Sequence, residues 1–176
     1  MLLNKIYKIY KHEIYPRISF LRGSHRILTI LMSLSSKNLQ KIDEKPESIF
    51  DKGDWDNLFL LDDCRLDTFE QVFGESDYRI SLGSATPEYI KETFTEGDFS
   101  EIVYVTGNPH FYPDIFKDLT GRDIEDVFHT VYKTYETDWN EDKGVVLPEP
   151  LIRDAKNARK MFPDKKIIVH FMQPHV

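Results

Sequence analysis

Apolar residues fall along this chain in blocks of two kinds, short unbroken runs and longer stretches with apolar positions three or four apart. Residues Asn57 to Leu61 form an apolar run of strand length, as expected for a strand buried on both faces of a parallel sheet. Residues Ile102 to Thr106 and Ile167 to Phe171 read the same way, and Asp126 to Tyr132 reads as a further strand. Between them lie helical patterns over Cys64 to Phe73 and Phe111 to Leu119. A third covers Pro148 to Met161, where Leu151, Ile152, Ala155, Ala158 and Met161 make one apolar face. Thr86 followed by Pro87 marks another helix start. Residues 1–45 read as two helical stretches parted near Pro16 and Gly23, and the polar stretch from Asp43 to Asp54 reads as a linker. Strand and helix therefore alternate, which predicts an α/β fold, a mostly parallel sheet flanked by helices. In such sheets, ligands bind at the C-terminal strand ends.

Charge divides the chain at the linker. Residues 1–45 hold nine Lys/Arg against three Asp/Glu, so the rest holds 14 against 27, and the net −7 divides into +6 and −13. An acidic body argues against nucleic acid as a partner. A cleft with that field needs a cation before it can handle an anionic ester. The basic segment 1–45 could lie on an anionic membrane surface or pack as a solvated lead-in. The stretch from Ile18 to Leu34 is broken by Arg22, His25 and Arg26, so it neither spans a bilayer nor forms a signal sequence. Cys64 is the sole cysteine, which excludes an internal disulfide and suits a reducing compartment. The expected location is cytoplasmic, with peripheral contact at the inner membrane face through residues 1–45.

Three constellations, and a weaker fourth at Asn108, could carry chemistry. Asp62 ends the apolar run 57–61, where a carboxylate can offer hard oxygen to a divalent cation or simply cap the next helix. Thr86 stands at a helix start, where amide N–H groups attract anions, and it too reads either as a nucleophile or as an N-cap. Ser84, two residues earlier, is the competing hydroxyl. Asn108, after the run 102–106, could line the cleft with the neighbouring His110. At the far end, His170 reads as a satisfied core residue, whereas His175, in a loop beyond Pro174, reads as a site histidine.

The string from Asp54 through Asp62, Arg65 and Asp67 resembles the first metal-binding motif of the alkaline phosphatase superfamily. There an apolar strand runs into an Asp, followed by two residues, an Arg, one residue and an Asp. The segment from Gly83 to Tyr89 is similar to that superfamily's nucleophile turn. The loop around His175 resembles the His-containing loop of sulfatase-like proteins, and the likeness is nearest to a branch common in archaea. It extends from about Asp54 to the end of the chain and leaves residues 1–45 uncovered.

The resemblance implies that residues 46–176 are the N-terminal part of an alkaline phosphatase-like (sulfatase-like) domain, and residues 1–45 a separate basic helical segment. Asp62 and Thr86 would be metal ligands, for Zn, Mn, Mg or Ca, with Thr86 or Ser84 the nucleophile. Arg65 would face the substrate or, with Asp67, brace the loop by pairing, and His175 would take a substrate-side or a metal-side role. Asn108, by its place after the run 102–106, would bind substrate in the cleft or form an ordinary turn. The substrate would be a small-molecule, glycan-linked or lipid-linked phosphate or sulfate ester. No cysteine occupies the nucleophile turn for conversion to formylglycine, so a hydroxyl nucleophile and phosphate chemistry are favoured. The family completes its metal site with a later Asp-His pair and a further His, so the chain is expected to stop short of them. Two other classes fit the same residues, a non-catalytic module binding an anionic glycan or lipid headgroup, and a membrane adaptor using residues 1–45.

Overall fold

Strands and helices are described here for residues 46–50, 55–62, 64–77 and 80–173 of a computed structural model. The helical stretches expected within residues 1–45, and the loop carrying His175, lie outside the described residues. The chain divides between Asp43 and Glu44, and everything below concerns the second unit.

The apolar runs become parallel strands. β1 (Asn57–Leu61), β2 (Phe99–Thr106), β3 (Phe128–Lys133) and β6 (Lys166–Phe171) form one sheet in the order β1-β6-β2-β3. Every pairing is parallel, with Leu60 opposite His170 and Thr106 opposite His170 from the other side. The α/β class with a parallel sheet is therefore present. Helices α1 (Leu66–Phe73), α2 (Thr86–Phe94), α3 (Pro113–Thr120), α4 (Ile124–Val127) and α5 (Pro148–Met161) connect the strands. A small antiparallel pair, β4 (Trp139–Asn140) with β5 (Val145–Val146), precedes α5.

Burial in the middle strands is nearly complete. Val103, Tyr104 and Val105 of β2 and Ile168 of β6 are all 0% exposed, as a strand covered on both faces requires. Phe94 of α2 stacks edge-on against Phe99, Tyr104, Phe111 and Phe128, an aromatic cluster that fastens α2 to the sheet. On α5, Leu151 and Ala158 are buried while Ile152 and Met161 are exposed. The buried stripe is thus narrower than the five-residue face expected.

Two expectations are corrected. β1 is not buried on both faces, and among the described residues it pairs only with β6, at the sheet edge. Its side chains alternate, with Leu58 and Leu60 packed on the core while Phe59 remains 63% exposed. The strand expected over 126–132 begins two residues later. Ile124 and Val127, three apart and both buried, take the helical spacing of α4, and the extended chain starts at Phe128.

Candidate functional site

Parallel strands all end on the same side, and four polar residues from four chain segments meet there. Asp62 follows β1, and its N–H donates to the carbonyl of Phe171 at 3.0 Å, continuing the ladder to β6. Since side chains alternate along a strand, Asp62 shares the core-facing side of Leu58 and Leu60. His170 lies opposite both Leu60 and Thr106, so the same parity brings it and Tyr104 to that face. Gly107 then turns the chain out of β2. Its N–H donates to the His170 carbonyl at 3.1 Å, and a Cβ there would stand 3.1 Å from Val146 and 3.2 Å from Leu151. The close approach of β5 and α5 therefore favours glycine. Asn108 follows, 2% exposed.

α2 supplies the fourth group. Ala85, extended at φ −148 and ψ 156, is the residue before the helix, so Thr86 is its first residue and Pro87 its second. This shifts Pro87 one place from its expected first position. It also removes the plain N-cap role from Thr86, whose hydroxyl contacts Oδ2 and Oδ1 of Asp62 at 3.2 and 3.4 Å. The Ser84 hydroxyl is turned elsewhere, donating to Glu88 at 2.6 Å, and the Ser84 N–H donates to the same carboxylate at 3.1 Å. Glu88 thereby closes the turn ahead of α2 in the manner of a capping box.

The amide of Asn108 has an assigned sense. Its Oδ1 accepts from the His110 backbone N–H at 2.9 Å, with His110 Nδ1 also at 2.9 Å, so Nδ2 is the end that donates to Asp62 Oδ2 at 2.9 Å. Both ends of Asn108, expected at the substrate, thus engage protein groups, one of them Asp62. Arg65 makes a two-pronged pair with Asp67 at 2.9 and 2.8 Å, both exposed, in keeping with the bracing role. The expected position of His175 lies outside the described residues.

Sequence reasoning left His170 in the core and out of the site. It is 3% exposed, as a core residue should be, yet its Nε2 stands 3.7 Å from Asp62 Oδ2 and its Nδ1 3.1 Å from the Tyr104 hydroxyl. A histidine among the apolar residues of β6 was the available signal, but its neighbours depend on the register with β1 and β2. Burial works against ionisation of Asp62. The surrounding groups, His170 first and then Thr86 and Asn108, outweigh it and hold the carboxyl below its ordinary pKa.

The donor chemistry suits a hard divalent cation. Among the described residues no group of three or more His, Cys, Asp or Glu side chains is placed to hold an ion; the oxygens that lie together at the strand ends are those of Asp62 and Thr86. Their separations of 3.2–3.4 Å exceed a well-made O–H···O bond. Two oxygens at right angles on one cation, each ~2.1–2.4 Å from it, stand about 3.0–3.4 Å apart. The two groups fit as part of a coordination shell.

The fold and these residues define an α/β protein with an acid–hydroxyl–amide–imidazole cluster at the C-terminal ends of its parallel strands. Comparison with family models, curated proteins and solved structures gave no match. Among the described residues no helix is long and apolar enough to cross a membrane.

Proposed function

We propose that this chain is the N-terminal part of an alkaline phosphatase-like domain, and that the complete site is a metal-dependent hydrolase or transferase of phosphate or sulfate esters. One observation carries the reading: the Thr86 hydroxyl lies 3.4 Å from Oδ1 of Asp62 at the strand ends, within the separation that two oxygen ligands of one cation keep. Asp62 and Thr86 would hold the ion, which would supply the positive charge that acidifies a hydroxyl and offsets charge on the transferred group.

The chain's own residues do the rest. Thr86 gives its hydroxyl proton to solvent water as Oγ1 attacks phosphorus or sulfur, the bond to the leaving oxygen breaks, and that oxygen takes a proton back from water as the alcohol departs. Water or another acceptor then displaces the group from Thr86. The positive end of α2 favours the incoming anion, and Asn108 holds Asp62 in place throughout.

The test is adduct mapping. Incubation with activated aryl phosphate, phosphodiester and sulfate esters plus Mn²⁺, followed by peptide mass spectrometry, should place the modification on Thr86 and lose it in Asp62→Asn. An adduct on Ser84 would move the nucleophile, and modification independent of both metal and Asp62 would contradict the reading.

A further inference from the structure

Tyr104 is fully buried, yet it carries a hydroxyl. Among the described residues, the partner found for that hydroxyl is Nδ1 of His170, at 3.1 Å. A buried hydroxyl hydrogen without an acceptor costs roughly 1–3 kcal/mol, so the Tyr104 hydrogen points at Nδ1. Burial, with the nearby Tyr89 and Asp62 adding to it, raises the Tyr104 pKa well above its ordinary value, so the phenol keeps that hydrogen. An imidazole whose Nδ1 accepts carries its own hydrogen on Nε2. Nε2 is the nitrogen facing Asp62 Oδ2, at 3.7 Å. That distance is too long for a hydrogen bond but close enough for the N–H dipole to act on the carboxylate.

The two Asp62 oxygens are treated unequally. Oδ2 receives Asn108 at 2.9 Å, Thr86 at 3.2 Å and the His170 N–H direction at 3.7 Å. Among the described residues Oδ1 receives only the longer Thr86 contact, at 3.4 Å. We infer that Tyr104 and His170 are positioning residues that fix the rotation of the Asp62 carboxylate, pinning Oδ2 and presenting Oδ1 to a divalent cation. This rests on the metal reading above for its purpose, while the relay of hydrogens stands on the buried geometry alone. Phe111 packs edge-on to the His170 ring, at 5.8 Å and 90°, and Tyr104 lies nearly edge-on at 6.1 Å. The ring therefore has little freedom to flip, and which nitrogen faces Asp62 is set by packing as well as by the Tyr104 hydroxyl. Groups of this outer kind change metal affinity by about 10–100-fold when removed.

Two measurements separate the relay from the metal reading. The first is long-range ¹H–¹⁵N NMR of the whole ¹⁵N-labelled chain at mildly alkaline pH, with the His170 ring assigned by its loss in His170→Gln. The expected result is a neutral ring protonated on Nε2, shifting towards the Nδ1–H form in Tyr104→Phe, which removes only a hydroxyl and leaves the packing. An Nδ1–H ring or a doubly protonated ring in the wild type overturns the relay, and so does an unchanged ring in Tyr104→Phe. The second is Mn²⁺ titration followed by electron paramagnetic resonance. His170→Phe should weaken binding about 10-fold or more, and His170→Gln, which restores an N–H donor, should recover most of it. Equal affinity in wild type and His170→Phe overturns the positioning role. If Mn²⁺ does not bind the wild type at all, the metal reading fails and the positioning role with it, while the NMR result still decides the relay of hydrogens.

Discussion

Thr86 and Ser84 stand two residues apart at one helix start, and their hydroxyls serve different carboxylates, Asp62 and Glu88. That difference separates their substitutions. Thr86→Ala should abolish adduct formation while costing stability only about 0.5–1.5 kcal/mol, one modest hydrogen bond. Ser84→Ala should lose a comparable amount of stability, through the turn that Glu88 closes, and keep the adduct. Thermal melts paired with adduct mapping check both. Asp62 makes a second prediction, with a definite sign. Its folded pKa is depressed, so its contribution to stability is present above the unfolded carboxylate value, ~3.9. That contribution is lost as pH falls through the lower folded value. Urea unfolding across that acid range should show the gap between wild type and Asp62→Asn shrinking as pH drops. A gap that widens on acidification would mean the carboxyl is not held ionised.

Among the elements, α2 depends most on what precedes it. At Gly83 an added Cβ would sit 2.2 Å from the Tyr89 backbone nitrogen and 2.7 Å from the Glu88 carbonyl carbon, a clash that no side-chain movement relieves. Gly83→Ala should therefore shift the start of α2, destabilise the fold by roughly 1–3 kcal/mol, and move Thr86 off Asp62. Chemical denaturation measures the first effect, and loss of the Thr86 adduct reports the last. Elements with a strong local signature were legible in the sequence. The apolar run of β1, the 3–4 spacing of α5 over Pro148–Met161 and the run of β6 carry their own periodicity. β4 and β5, two residues each, carry none. The start of β3 was misplaced because the helix ahead of it, Ile124–Val127, is only four residues long and too short to show its period in the sequence. β1 looked doubly buried because composition reports apolarity, not which strands lie alongside.

At the scale of the molecule, the site arises from strand order. β6, last in the described sequence, inserts between β1 and β2, so His170 comes beside Asp62 from more than a hundred residues away. Asp62 and Thr86 were legible because each sits at an element boundary with a recognisable local pattern. His170 and Tyr104 were not, since pairing register is a long-range property. The central claim is that Asp62 and Thr86 share one divalent cation. With two oxygen donors among the described residues, of the four to six such ions take, affinity should be weak, on the order of 10⁻⁴–10⁻³ M. The most direct measurement is Mn²⁺ titration, read by electron paramagnetic resonance, of wild type, Asp62→Asn and Thr86→Ala. The account predicts one weak site, abolished in Asp62→Asn and weakened in Thr86→Ala. Binding that is unchanged in Asp62→Asn, or absent from the wild type altogether, would contradict it.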